Sequence, residues 1–564
     1  MSMGEDQKRW LKHYPKQIPT SIDYPEIPIP QMLVEAANHF PNHDALIFMG
    51  NSMTYQELFD QVQLFVSALK EIGVAKNEKV SIMLPNCPQA VIAYYAVLMV
   101  GAIVVQTNPL YMERELEHQL NDADAETIIC VDLVLPKVIN VKDKTKIKRV
   151  IVTGISDFLS FPKSWLYKLK LFVEGTKISM PHEPGYYQMK KLMGQASLPS
   201  TPFVPEFDSP DGLAVLQYTG GTTGLAKGAM LTHRNLISNT YQMAAILYKA
   251  KKGQEKLLAV LPFFHVYGLT TLMNFAVYMA STMILVPRFD ATLILKEIKR
   301  HRPTLFPGAP TMYIGLINHP DITKYDLSSI EACISGSAPL PVEVQEKFEE
   351  LSGGKLIEGY GLTEASPVTH VNLVYDRVKL TTIGLPLPDT DCRIVDPDTK
   401  EELPAGRVGE LLIKGPQVMK GYWKRPDETE NVLQDGWLAT GDLAKMDEDG
   451  YFYIIDRKKD VIIAGGYNVY PREVEEVLYE HPAVQEACVM GVPHEYRGET
   501  VKAFIVLKPG AQWSEEEVMS YCREKLAAYK IPRLVEFRKE LPKSNTGKIL
   551  RRVLREEEKQ KASN

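Results

Sequence analysis

The sharpest chemical signal in this chain lies in the segment Tyr218-Thr-Gly-Gly-Thr-Thr-Gly-Leu-Ala-Lys-Gly228. Gly220, Gly221 and Gly224 allow backbone N–H groups to converge on an anion, because a residue without a Cβ tolerates close approach and unusual dihedrals. Thr219, Thr222 and Thr223 add hydroxyl donors, and Lys227 adds a compact positive charge. That set of donors suits a polyphosphate. It differs from the loop of P-loop nucleotide hydrolases, in which Gly-Lys is followed by Ser or Thr and a helix opens at once. Here Lys227 is followed by Gly228, and a helix signal begins only after Thr232.

The elements that must position this loop are those of an α/β protein. An apolar run at 213–217 reads as the strand leading into it. Upstream, Thr54-Tyr-Gln-Glu57 has the spacing of a capping box, with Leu58, Val62, Phe65 and Leu69 on one helical face and Gly73 as the stop. Strands are expected at 79–84, 127–131 and 150–153, and strands alternating with helices imply mostly parallel sheets covered on both faces. Two long apolar stretches, 90–106 and 266–287, break at Gly101 and at Ser281-Thr282 and end in β-branched runs, so each is expected to be a buried helix followed by a buried strand. Between 160 and 200, Trp165, Leu166, Tyr167, Leu169, Leu171 and Phe172 interleave with Lys163, Lys168 and Lys170. That segment is expected to be a packed surface insertion, with a membrane-surface helix as the alternative.

From Asp389 to Tyr453 the texture changes to short strands and Gly/Pro turns, and after Asp456 it becomes α+β, with a helix opened by Pro471 and strands near 487–492 and 502–507. The expected organisation is a large N-terminal domain, 1–455, containing a β-rich subdomain at about 389–455, followed by a small mobile α+β domain, 456–564, hinged at Asp456. A length of 564 residues requires more than one core. The net charge of −6 gives no support to nucleic-acid binding, and six scattered cysteines without a C-x-x-C pair fit neither a zinc site nor a disulfide framework. The charged, apolar-poor N-terminus lacks the core of an export signal. A cytoplasmic location is expected.

On its loop the chain resembles the adenylate-forming superfamily of acyl-CoA synthetases, luciferases and peptide-synthetase adenylation domains, although Gly220 stands where that family usually has Ser and Ala226 where it has Pro. Further segments match in the family's order along nearly the whole chain. Gly336-Ser337-Ala338 resembles the loop beside the adenine. Gly359-Tyr360-Gly361-Leu-Thr363-Glu364 resembles the adenine and metal segment, which implies stacking by Tyr360, an α-phosphate contact from Thr363 and a Mg²⁺ ligand in Glu364. Asp442, in Thr440-Gly-Asp442, and Arg457 match the ribose contacts. His265, in Pro262-Phe-Phe-His-Val-Tyr267, resembles the residue beside the acyl carbonyl. Lys548, in Pro542-Lys-Ser-Asn-Thr-Gly-Lys548, matches the catalytic lysine, and its surroundings are expected to be an exposed tail open to acetylation.

The resemblance implies ATP, Mg²⁺ and coenzyme A as cofactors and co-substrates, acyl-AMP as intermediate, and rotation about Asp456 to exchange Lys548 for a segment carrying Gly465 and Gly466, close-approach positions beside a pantetheine arm. Because the sequence ends soon after Lys548, coenzyme A is expected as acceptor rather than a carrier domain. The resemblance to bacterial long-chain fatty-acid–CoA ligases, carried by the loop and by Lys8-Arg-Trp-Leu-Lys-His-Tyr-Pro15, points to a fatty acid in an apolar tunnel walled by 267–274, 309–313 and 367–368. Medium-chain and aromatic acids are the alternatives for the substrate, and a catalytically silent lipid- or nucleotide-binding protein is the rival from another class. Peripheral membrane contact and a homodimer remain open expectations.

Overall fold

A computed structural model describes residues 8–173, 180–219, 226–464, 467–494, 498–544 and 548–563. The phosphate-loop hairpin sits at the edge of a seven-stranded sheet. Its strands run in the order Tyr186–Gln188, Arg149–Thr153, Thr127–Val131, Lys79–Met83, Ile103–Gln106, Leu213–Thr219 and Lys227–Thr232. All neighbours are parallel except the last pair, which forms an antiparallel hairpin. Thr127–Val131 and Ile103–Gln106 are buried at every position, which is why they are runs of apolar residues rather than alternations.

A second layer pairs Lys256–Ala259, Thr282–Leu285 and Asp44–Phe48 in parallel. Leu305 bridges Leu257 and Ala332, and so joins this layer to a sheet of Ala332–Ser335, Lys355–Gly361, Val368–Val371 and Leu385–Pro386. Helix Pro88–Met99, buried at every residue, packs against strands Lys79–Met83 and Ile103–Gln106 on one side and helix Tyr55–Glu71 on another. It stops at a turn where Gly101 has φ +79°, and strand Ile103–Gln106 follows. The second apolar stretch likewise divides into helical turns over Val266–Gly268, a π-helical stretch Leu269–Asn274, helix Phe275–Tyr278 and strand Thr282–Leu285. Among the described residues no helix is long and apolar enough to cross a membrane.

The expected cap forms as read. Thr54 Oγ1 accepts the Glu57 N–H at 3.2 Å, Glu57 Oε2 accepts the Thr54 N–H at 2.8 Å, and helix Tyr55–Glu71 buries Leu58, Val62, Phe65 and Leu69 completely. The β-rich unit is a five-stranded antiparallel sheet of Asp391–Val395, Gly409–Lys414, Trp437–Met446, Leu433–Gln434 and Phe452–Arg457. Trp10, 1% exposed, packs edge-on against Phe452. Gly450, at φ +85°, leaves room for it, since a Cβ there would lie 2.6 Å from the Trp10 nitrogen.

The C-terminal sheet, centred on Val484–His494 and Gly498–Leu507, is flanked by helices Pro471–Tyr479 and Glu515–Lys525. One apolar core spans Trp10 to Phe452, and two smaller ones begin at Ile462 and Cys488, so the cores part company on either side of Asp456. All six cysteines are free and buried.

Candidate active site

The hairpin places Thr219 directly opposite Lys227 at the mouth of the loop. The loop positions Gly220, Gly221, Thr222, Thr223 and Gly224 lie outside the described residues, as do Gly465 and Gly466. Helix His233–Ile246 starts well beyond Lys227, with Thr232 Oγ1 accepting the Asn235 N–H at 3.1 Å. The Lys227 ammonium pairs with Glu428 and stands 5.3 Å from the centre of the Tyr422 ring. Tyr422 in turn donates its hydroxyl to Glu364 Oε1 at 2.7 Å.

Strand Lys355–Gly361 carries Gly359, Tyr360 and Gly361 to the site, and the single turn Thr363–Ala365 presents Thr363 and Glu364. Tyr360 donates to Asp442 Oδ2 at 2.5 Å. Asp442 faces Arg457 across the ladder between Trp437–Met446 and Phe452–Arg457, with Arg457 Nε 3.6 Å from Asp442 Oδ1. An aromatic ring, a carboxylate and a guanidinium therefore share one wall. Gly336 ends strand Ala332–Ser335 against the Tyr267 ring, where a Cβ would meet a ring carbon at 3.0 Å, and Ser337 adopts φ +71° while Ala338 continues the loop.

His265 caps the short turn Val266–Gly268, its Nδ1 accepting the Tyr267 N–H at 3.3 Å, which leaves Nε2 as the protonated nitrogen of the neutral ring. Burial, assisted by the Lys548 charge, lowers the His265 pKa to about 4. The Lys548 pKa is pushed down to about 7, first by burial and then by Arg457, with Asp442 pulling the other way. Residues from the two ends of the site thus share one electrostatic neighbourhood.

The expectation of an exposed tail around Lys548 is overturned. Helix Arg551–Ser563 docks on the C-terminal sheet, with Leu554 fully buried, Arg551 Nη2 on Glu475 Oε1 at 2.5 Å and Arg555 Nη2 on Asp460 Oδ1 at 2.9 Å. The physical reason is that Arg551 and Arg555 find the largely buried carboxylates of Glu475 and Asp460, while Arg552 on the outer face stays in solvent.

Asp456 accepts N–H bonds from Arg457 at 2.7 Å and from Arg472 at 2.9 Å, and burial raises its pKa to about 6. Arg472 also reaches the Ile454 carbonyl at 2.9 Å and lies 3.6 Å from Glu358, whose pKa burial lifts to about 7. The hinge candidate therefore sits at the contact between the two sets of cores.

Among the described residues no group of three His, Cys, Asp or Glu side chains could hold a metal by itself. A lone Glu364, with Oε1 engaged by Tyr422, nevertheless fits Mg²⁺, which keeps several waters and commonly uses one or two carboxylates plus substrate phosphates. Sequence reasoning missed Tyr422 and Glu428. It also missed Asp122, whose carboxylate receives the Tyr218 hydroxyl at 2.7 Å and Arg425 at 3.0 Å. The only signal was the aromatic and basic run Gly421-Tyr-Trp-Lys-Arg425 before Pro426. A small apolar cavity lined by Met243, Leu247, Thr271, Phe275, Pro307 and Ile334 shares only Thr271 with the expected tunnel wall.

A mostly parallel α/β body, an antiparallel unit and a C-terminal α+β unit, meeting around these side chains, define a nucleotide-dependent class of enzyme. The chain matches the family model described as AMP-binding enzyme over residues 33–423 and that described as AMP-binding enzyme C-terminal domain over 473–548, and it belongs to the AMP-binding enzyme family. It is 51% identical over 558 residues to the long-chain-fatty-acid–CoA ligase of Bacillus subtilis (strain 168), covering 98% of this chain and 99% of that one. Identity to the long-chain-fatty-acid–CoA ligase of Yersinia pestis is 42%, over 98% of both chains. The anthranilate CoA ligase AuaEII, solved in complex with anthranoyl-AMP, superposes with TM-score 0.84 at 29% identity, covering 96% of this chain and 98% of that one. ATP-bound MatB from Rhodopseudomonas palustris gives TM-score 0.81 at 29% identity over 94% and 99%.

Proposed function

We propose that this chain is an AMP-forming acid–thiol ligase that joins a long-chain fatty acid to coenzyme A at the expense of ATP. The fatty-acid class rests on near-full-length relatives such as the Bacillus subtilis ligase. The observation that carries the chemistry is Lys548, a C-terminal residue coupled electrostatically to His265 and Asp442 of the larger body.

In the first step a carboxylate oxygen of the acid attacks the α-phosphorus of ATP and pyrophosphate leaves, giving acyl-AMP. Two anions must approach and negative charge builds on the phosphoryl oxygens, so a positioned ammonium at Lys548 lowers the transition state more than the ground state. Asp442 accepts the ribose hydroxyls, Tyr360 offers its face to the purine, Thr363 donates to the α-phosphate, and the neutral His265 donates Nε2–H to the acid. The residues at 219–224 and Lys227 cradle the outer phosphates. Mg²⁺, held by Glu364, supplies neutralisation of the polyphosphate charge when bound.

In the second step the coenzyme A thiolate attacks the acyl carbonyl and AMP departs. Lys548 must withdraw for the thiol to enter. Rotation of 456–564 about Asp456, bringing Gly465 and Gly466 alongside the pantetheine arm, accomplishes this, and the separation of apolar cores on either side of Asp456 supports it.

The test is acid-dependent exchange of pyrophosphate into ATP without thiol, across acids from short to long and aromatic, followed by thioester formation when coenzyme A is added. Long-chain acids are expected to give the highest kcat/KM. Preference for aromatic acids would replace the substrate class, and fatty-acid binding without exchange would select the silent binding protein.

Peripheral membrane contact forms a second part of this reading. Trp165, Leu166, Leu169 and Val173 project into solvent at the spacing of one face of helix Lys163–Val173, and Phe161, 83% exposed, stands just before it. That helix contains three lysines and no acidic residue. Co-sedimentation with phosphatidylglycerol vesicles at low salt is expected, and Trp165→Glu with Leu169→Glu should weaken it by at least about tenfold, since each buried side chain contributes about 1.5–3 kcal/mol. Wild-type protein remaining in the supernatant would remove this part.

A further inference from the structure

The segment between the β-rich strands Gly409–Lys414 and Leu433–Gln434 is tied to two parts of the nucleotide site at once. On one side it extends the hairpin: the Met230 N–H donates to the Gly421 carbonyl at 2.9 Å, the Trp423 N–H to the Gly228 carbonyl at 2.8 Å, and Ala229 bridges Tyr422. On the other side the Met419 N–H donates to the Glu364 carbonyl at 2.7 Å. The backbone of 419–423 therefore joins the strand that carries Lys227 to the turn that carries Glu364.

The Tyr422 side chain repeats that connection. Its hydroxyl holds Glu364 Oε1 at 2.7 Å, and its ring lies 5.3 Å beneath the Lys227 ammonium. Its own N–H donates to Thr429 Oγ1 at 2.9 Å, anchoring it to helix Pro426–Val432, the helix from which Glu428 pairs with Lys227. A phenol donating to a carboxylate restricts which oxygen remains free and in which direction, while the π-face holds an ammonium without neutralising it.

We propose that Tyr422 is a positioning residue of the nucleotide site, fixing the Glu364 carboxylate relative to the Lys227 ammonium, while Glu428 holds that ammonium until a polyphosphate displaces it. The proposal rests on the ATP-dependent reading above. Tyr422 touches no reacting atom; it acts through Glu364 and Lys227.

The test compares Tyr422→Phe, Tyr422→Leu and Glu428→Gln in the full chain by calorimetric titration of ATP with and without Mg²⁺, alongside pyrophosphate exchange. Tyr422→Phe keeps the ring and loses the hydroxyl, so metal-free ATP binding is expected to stay within about twofold of wild type while the gain in affinity conferred by Mg²⁺ shrinks by about tenfold, as for a lost charge-assisted hydrogen bond. Tyr422→Leu is expected to weaken metal-free binding as well. Glu428→Gln is expected to bind metal-free ATP severalfold more tightly, because the competing carboxylate is gone.

A wild-type Mg²⁺ increment in Tyr422→Phe overturns the positioning role, and unchanged or weaker ATP binding in Glu428→Gln overturns the holding role. Equal losses in every readout, including thioester formation from supplied acyl-adenylate, reduce Tyr422 to a fold residue and also overturn the proposal. Failure of the functional reading is distinct: wild-type protein would then bind no ATP and catalyse no exchange.

Discussion

Lys548→Met is expected to slow acyl-adenylate formation by about 100-fold or more, the order of loss when one preorganised charge facing a developing anion is removed. Thioester formation from supplied acyl-adenylate should fall by no more than about threefold, because under the rotation proposed above Lys548 leaves the site before the thiol enters. Single-turnover measurement of each half-reaction separates the two, and equal losses in both would contradict the role.

A pH dependence follows with a definite sign. Burial and Arg457 hold the Lys548 pKa down to about 7, so its ammonium is present below that pH and lost above it in the nucleotide-free enzyme. The kcat/KM for ATP in the exchange reaction should therefore decline above about pH 7, since that ratio reports groups of the free enzyme. Bound polyphosphate raises the pKa again by favouring the charged form, so kcat should hold to higher pH than kcat/KM. Lys548→Met should lack this limb altogether, and a limb that persists in the variant would assign it to another group.

Asp442→Ala is expected to raise the KM for ATP by about 100-fold, with a smaller effect on kcat. Two hydrogen bonds from ribose hydroxyls to a carboxylate contribute about 1.5–3 kcal/mol each. The truncation also strips the Tyr360 hydroxyl of its acceptor and Arg457 of its counter-charge, in a wall where Asp442 is 15% exposed. The discriminating measurement is 2′-deoxy-ATP: wild-type enzyme should prefer ATP over it, and Asp442→Ala should lose most of that preference. A variant with weakened ATP binding but intact preference would show that Asp442 organises Tyr360 and Arg457 without meeting the ribose.

These expectations differ in how they could be reached from the residues alone. The cap at Thr54, the burial of helix Pro88–Met99, the late start of helix His233–Ile246 and the β-rich texture from Asp389 to Tyr453 were legible because each is governed by side chains a few positions apart, whose periodicity and capping chemistry are local. Motif residues such as Glu364, Asp442 and Lys548 were legible for a different reason, their match in order to a known family. Tyr422 was not, because its partner Glu364 lies 58 positions away, and neither periodicity nor composition encodes a hydrogen bond of that span.

What residue types and local spacing decided is therefore the set of parts: an α/β class, a glycine- and threonine-rich loop with the donors a polyphosphate would need, and a β-rich unit. Which parts touch was left to tertiary packing. Tyr360 and Asp442, 82 positions apart, meet because two different sheets bring the end of strand Lys355–Gly361 and the middle of strand Trp437–Met446 to one wall. The Lys548 charge reaches His265, and the helix that follows it, Arg551–Ser563, is held on the C-terminal sheet by buried Leu554 and by Arg551 and Arg555 on Glu475 and Asp460. Such contacts depend on the summed burial of whole sheets and helices, a property no short window of sequence contains.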